Sequence, residues 1–191
     1  MVRAYHVAFT AYGFWLPNDP RGSWSTFVRQ WELFRFGGPA TTTATRRSVA
    51  ARRHDARHRH AAKQALRHPP VQFTGEQARQ IAAAFGEAAA ASAYRIHACA
   101  ILPEHVHMVV GRGRYRIEQV VRRLKQAATV RLSEQQMHPL NGKASPWARG
   151  CWKVFLNEAN DIERAARYVE ANPEREHKRR QRWSFVVPFG E

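Results

Sequence analysis

The chain has 191 residues, with 31 Lys or Arg against 15 Asp or Glu, a formal charge of +16 with histidine neutral. An apolar content of 44%, a quarter of it aromatic, is enough for a packed core, which excludes a disordered polycation and leaves a folded basic protein of one domain. So large a positive surplus asks for an anionic partner: nucleic acid first, a membrane surface or an acidic protein as alternatives.

Residues 5–12 (YHVAFTAY) are β-branched and aromatic and stop at Gly13, which predicts a first strand. From 13 to about 73 the pattern breaks down into an irregular insertion dense in turn formers. Within it, residues 46–67 hold eight Lys or Arg with one Asp and three His, and their alanines permit a basic helix, either solvated or in contact with nucleic acid.

Thr74 with Gln77 forms a capping box that opens a helix to about Ser92, with Ala78, Ile81, Phe85 and Ala88 on one face. Two strands follow, 94–102 and 105–111, at hairpin spacing across Pro103-Glu104. Ile117, Val120, Val121, Leu124, Ala128 and Leu132 mark the next helix, and Arg122, Arg123, Lys125 and Arg131 its opposite face. A short strand is expected over 151–156. Asn160 with Glu163 predicts the start of a further helix, and Pro173 its end, because the residue before a proline is pushed out of the α region. Residues 183–187 read as a final edge strand, after a basic tail that starts near 174. Strands and helices in this order predict an α+β fold, a mainly antiparallel sheet with flanking helices.

No apolar stretch is long enough to span a bilayer, and residues 1–10 lack the pattern of a secretory signal. Cys99 and Cys151 are the only cysteines, which fits a cytoplasmic protein without a disulfide framework. No phosphate loop or dinucleotide-binding turn is present, so no nucleotide cofactor is expected.

Two places carry candidate chemistry. On a strand, His105 and His107 share one face while Val106, Met108 and Val110 take the other. Two imidazoles about 6 to 7 Å apart along a strand converge on one ion, or are ordinary histidines of a half-buried strand. In the last helix, Ile162, Ala165, Ala166 and Val169 form an apolar stripe, with Tyr168 at its edge about 120° from Ile162. Asn172 lies one turn further, so phenol and amide project together; a tyrosine packing on the sheet rim with Asn172 as a cap is the plainer alternative.

The run Leu102-Pro-Glu-His105-Val-His107-Met-Val-Val110, followed by Tyr168-Val-Glu-Ala-Asn172-Pro173, resembles the single-tyrosine HUH transposases, most of all the REP-associated tyrosine transposase group. Residues 12–17 (YGFWLP) and 147–155 (WARGCWKVF) resemble family members too. The resemblance implies the HUH nuclease variety of the ferredoxin-like fold. It implies an endonuclease and strand transferase that cuts and joins single-stranded DNA at hairpin or repeat ends through a 5′-phosphotyrosine. Tyr168 would be the nucleophile, His105, His107 and Asn172 the ligands of Mg²⁺ or Mn²⁺, and the protein a monomer or homodimer. Two departures stand out: Glu104 where family members usually have Asn, and residues 172–177 reading NPEREH where they usually have Asn-Pro-Val-Arg-Ala-Gly.

Arg112, Arg114, Arg122, Arg123, Lys125, Arg149, Lys153, Arg179 and Arg180 are the candidates for phosphate contacts, with Trp152 and Trp183 available for base stacking. Other readings of the same residues are a domesticated nucleic-acid-binding protein without chemistry, and a nickase of the relaxase or replication-initiator kind.

Overall fold

Alternation along the first strand decides how the sheet is filled. The computed structural model describes residues 1–16, 31–36 and 55–190. Strand β1 (Ala4–Thr10) is central: it pairs antiparallel with β3 (His105–Gly111) on one side and β4 (Trp152–Leu156) on the other. Strand β2 (Ile96–Ile101) pairs antiparallel with β3, giving the order β2-β3-β1-β4. With helix α2 (Gly75–Ser92) between β1 and β2, and α3 (Ile117–Glu134) between β3 and β4, this is the βαββαβ ferredoxin-like order. The fold is α+β, as the sequence predicts.

One sheet face contributes Val7, Phe9, Cys99, Ile101, Val106, Met108 and Val110 to the main core, where Ile81 and Phe85 of α2 and Val120, Leu124, Ala128 and Leu132 of α3 meet them. The opposite face is built differently. Ala4, Ala98, Ala100 and Val109 offer small side chains, and helix α4 (Ala159–Arg175) settles on them through Ile162 and Val169. Alanines let the helix lie close to the strands, and that approach brings its outer edge over the histidine-bearing part of the sheet.

Several elements match expectation closely. The Thr74–Gln77 capping box is formed in both directions, and α2 ends at Ala93 in the left-handed conformation (φ 53°). That cap delays β2 to Ile96, two residues later than the hydrophobic pattern suggests. Gly13 follows β1 at φ +80°, where a Cβ would lie 2.9 Å from Leu66 Cδ1 and from Pro70 Cα, so the turn needs glycine twice over.

Three local expectations fail. Helix α4 starts at Ala159 with Glu158 as its cap, and no side chain caps it, so the Asn160–Glu163 box does not form. Pro173 does not end the helix but lies inside its last turn. Its missing N–H costs one bond two residues before the end. Burial of Val169, Asn172 and Pro173 outweighs that, and the termination falls to His177 (φ 56°), with His177 N–H donating to the Glu174 carbonyl and Lys178 N–H to that of Pro173. Residues 183–187 form no strand, only an isolated parallel bridge from Val186 to Ile96. The tail nevertheless covers the β2 edge: the Gln181 amide accepts from Ile101 N–H and donates to Ile101 C=O, a side chain standing in for a strand.

Of the insertion, Leu16, Leu33 and Ala62 form a small cluster of their own beside the 3-10 turn Trp31–Phe36. The expected basic helix is seen as α1 (Ala56–Gln64), capped by Asp55; residues 46–54 lie outside the described residues. Among the described residues no helix is long and apolar enough to cross a membrane.

Candidate active site

The alternation of β3 turns His105 and His107 toward the α4 face, with ring centroids 5.0 Å apart. In the β1–β3 register Thr10 lies opposite His105 and Ala8 opposite His107. Ala8 also lies opposite Trp152 of β4, so its methyl leaves a gap between two large rings. The His6 ring, two residues along on the same face, fills that gap. Its Nε2 is 3.2 Å from His107 Nδ1, a hydrogen bond between rings, and it meets Trp152 edge-on at 5.3 Å.

Burial sets the charge of these rings. His6 is 9% exposed, and desolvation pushes its pKa down to about 4. Desolvation, and then the neighbouring His105 and His6, push His107 down to about 3. Both are neutral at neutral pH, the state in which an imidazole nitrogen offers a lone pair to a metal. His105 is also buried, stacked on Phe14 at 5.2 Å, with its Nε2 3.4 Å from Glu176 Oε1.

Tyr168 stands at the rim of this group. Its ring meets His6 at 5.5 Å and His107 at 5.7 Å, both edge-on, and the Arg175 guanidinium lies 4.9 Å from the ring centroid. At 39% exposure the phenol is open to solvent. Asn172, one turn on, is only 5% exposed. Tyrosine and asparagine thus share a side of α4 at different depths. Glu104 turns elsewhere and accepts from Gln72 Nε2 at 2.8 Å.

Sequence reasoning missed His6, Arg175 and Glu176. His6 was invisible because nothing in the chain's order says that β1 pairs with β3 in this register. Glu176 was visible only as a departure from the resemblance.

The basic candidates divide into engaged and open groups. Lys125 donates to the Ala148 and Gly150 carbonyls, and burial lowers its pKa to about 8. Lys153 pairs with Glu118, Arg180 with Glu170. Arg114 and Arg123 both lie against the Tyr115 ring, and Arg112 donates to the Val2 carbonyl. Arg122, Arg149 and Arg179 are exposed and have no acidic partner among the described residues. Trp152 is half-buried against His6, and Trp183 packs on the main core.

The model of the family described as IS200-like transposase matches residues 45–172, a span that holds His105, His107, Tyr168 and Asn172 together. The chain belongs to the IS200-like transposases. It is therefore a DNA-processing enzyme of the transposase kind. Two solved structures are similar to this transposase. One is a REP-associated tyrosine transposase bound to a REP hairpin, 12% identical, covering 91% of this chain and 68% of that one with a TM-score of 0.49. The other is a protein from Deinococcus radiodurans R1 provisionally assigned as a transposase, 14% identical, covering 94% of each chain with a TM-score of 0.44. No curated protein matches the sequence.

Proposed function

We propose that this transposase cuts and rejoins single-stranded DNA at hairpin or repeat ends, with Tyr168 as the nucleophile. The observation that carries the reading is the placement of the Tyr168 ring, solvent-open, directly against His107 and the buried histidine group. A tyrosine serving only to pack would gain nothing from that neighbourhood, whereas a nucleophile needs both access to DNA and a polar floor.

The donor set fits a divalent ion. His105 and His107 are close, His107 is held neutral, and Asn172 lies one turn from Tyr168 on α4 with only 5% exposure. Among the described residues no three His, Cys, Asp or Glu side chains form a ready cage. The proposed set of two imidazoles and one amide leaves positions for phosphate and water. When bound, Mg²⁺ or Mn²⁺ would neutralise the non-bridging phosphate oxygens and the departing 3′ oxygen.

The residues then divide the work. The Tyr168 Oη attacks phosphorus and loses its proton to solvent; the bond from phosphorus to the 3′ oxygen breaks, and that oxygen takes up a proton. The product is a 5′-phosphotyrosine and a free 3′ hydroxyl, so rejoining to another strand needs no ATP. A free phenol is a poor nucleophile unaided, and the Arg175 guanidinium, 4.9 Å from the Tyr168 ring centroid, places a positive charge beside the site where phosphate would sit. Arg122, Arg149 and Arg179 are the open phosphate contacts. As a single domain, the chain keeps an insertion over about 13–73 and a basic tail, which begins after α4 ends at Arg175.

The test uses a hairpin oligonucleotide from the gene's own flanks, labelled at either end, with Mn²⁺. A denaturation-resistant adduct should carry the 3′ fragment and be absent in Tyr168→Phe. Persistence of the adduct in that variant would assign the nucleophile elsewhere.

A further inference from the structure

His6 lies outside the segment that matches the transposase family, yet its ring hydrogen-bonds directly to the His107 ring. Three features give that contact direction. Ala8, opposite both His107 and Trp152, is too small to fill the space between them, so the His6 ring lies across it. Trp152 meets one flank of the His6 ring and Tyr168 another, which fixes its plane. The bond joins His6 Nε2 to His107 Nδ1 at 3.2 Å, leaving the His107 Nε2 as the nitrogen not used by the pair.

Resting on the metal-site reading above, we propose that His6 is a positioning residue that holds His107 in the orientation and tautomer required for ligation through Nε2. A neutral imidazole carries one hydrogen. If Nε2 is to offer its lone pair to an ion, that hydrogen must be on Nδ1, and it needs an acceptor. His6 Nε2 supplies the acceptor, and His6 accordingly carries its own hydrogen on Nδ1. The same ring touches Tyr168, so one buried side chain sets the rotamer of the ligand and supports the flank of the nucleophile.

Two substitutions separate the acceptor from the ring. His6→Gln places an amide oxygen near the position of Nε2, while His6→Phe keeps the ring and removes the acceptor. Mn²⁺ binding to the full-length protein, measured by calorimetry without DNA, should weaken about 10- to 100-fold in His6→Phe, the usual cost of losing such an outer partner. In His6→Gln it should return to within about threefold of the parent, and His107→Ala should bind far more weakly than either. Nitrogen-15 NMR of the metal-free parent should show His107 protonated at Nδ1 and bare at Nε2, with a tautomer mixture in His6→Phe. Unchanged Mn²⁺ affinity in His6→Phe beside a clear loss in His107→Ala overturns the role of His6 and leaves the metal site standing. A His107 ring protonated at Nε2 in the parent overturns it too. If neither His105→Ala nor His107→Ala weakens Mn²⁺ binding, the metal-site reading falls and the inference with it.

Discussion

Acidifying the metal-free protein should remove stability in a window governed mainly by two buried histidines, His6 and His107. His6 and His107 start from an ordinary value of 6.5 and are pushed down to about 4 and about 3 in the folded chain. Unfolding restores the ordinary value, so below 6.5 the unfolded chain binds protons that the folded chain refuses. The stability these neutral rings permit is therefore complete above 6.5 and is lost as pH falls through 6.5 toward the folded values. Proton linkage gives about 1.4 kcal/mol for each ring between about pH 7.5 and about pH 5.5, or about 3 kcal/mol for the pair. The carboxylates with lowered values, Asp55, Glu76 and Glu118, titrate below this window, while His138, also lowered by burial, adds to the loss in the same direction. Urea denaturation with a chelator present, followed by tryptophan fluorescence at the two pH values, measures the loss. In His6→Phe the loss should be smaller by about 1.4 kcal/mol, the share of one ring. A parent protein equally stable at both values, or a His6→Phe variant that loses as much as the parent, would refute the claim that these rings are buried neutral.

Tyr168→Phe should abolish the covalent adduct while leaving the unfolding free energy unchanged within about 0.5 kcal/mol, because the phenol is substantially exposed. Leu124→Ala, in the fully buried stripe of α3, should cost about 2 to 5 kcal/mol without altering the denaturant slope. Gln181→Ala leaves the Ile101 N–H and C=O at the β2 edge without their side-chain partner, and should cost about 1 to 2 kcal/mol with faster hydrogen exchange at Ile101. DNA affinity should fall steeply with salt; Arg122→Ala and Arg149→Ala should each lower the logarithmic salt slope by about one, and an unchanged slope would remove them from the interface.

The elements of this transposase were largely written in local patterns. The Thr74–Gln77 box, the 3.6-residue stripe from Ile117 to Leu132 and the alternation of residues 105–110 each follow from near-neighbour geometry, and each formed. The pairing of His105 with His107 on one face is of the same kind, since strand alternation needs no partner. Where two local rules competed with burial they lost: Pro173 remains helical because its turn is packed on the sheet, and residues 183–187 give way to a Gln181 side chain at the strand edge. What only tertiary structure decided was convergence. Tyr168 lies about sixty residues from His107 in the chain, and His6 about a hundred, and their rings meet because β1 pairs with β3 in one register and alanines admit α4 closely. Side-chain chemistry could be read from the order of residues, but the distances between those side chains come from strand pairing and helix approach, which no local pattern encodes.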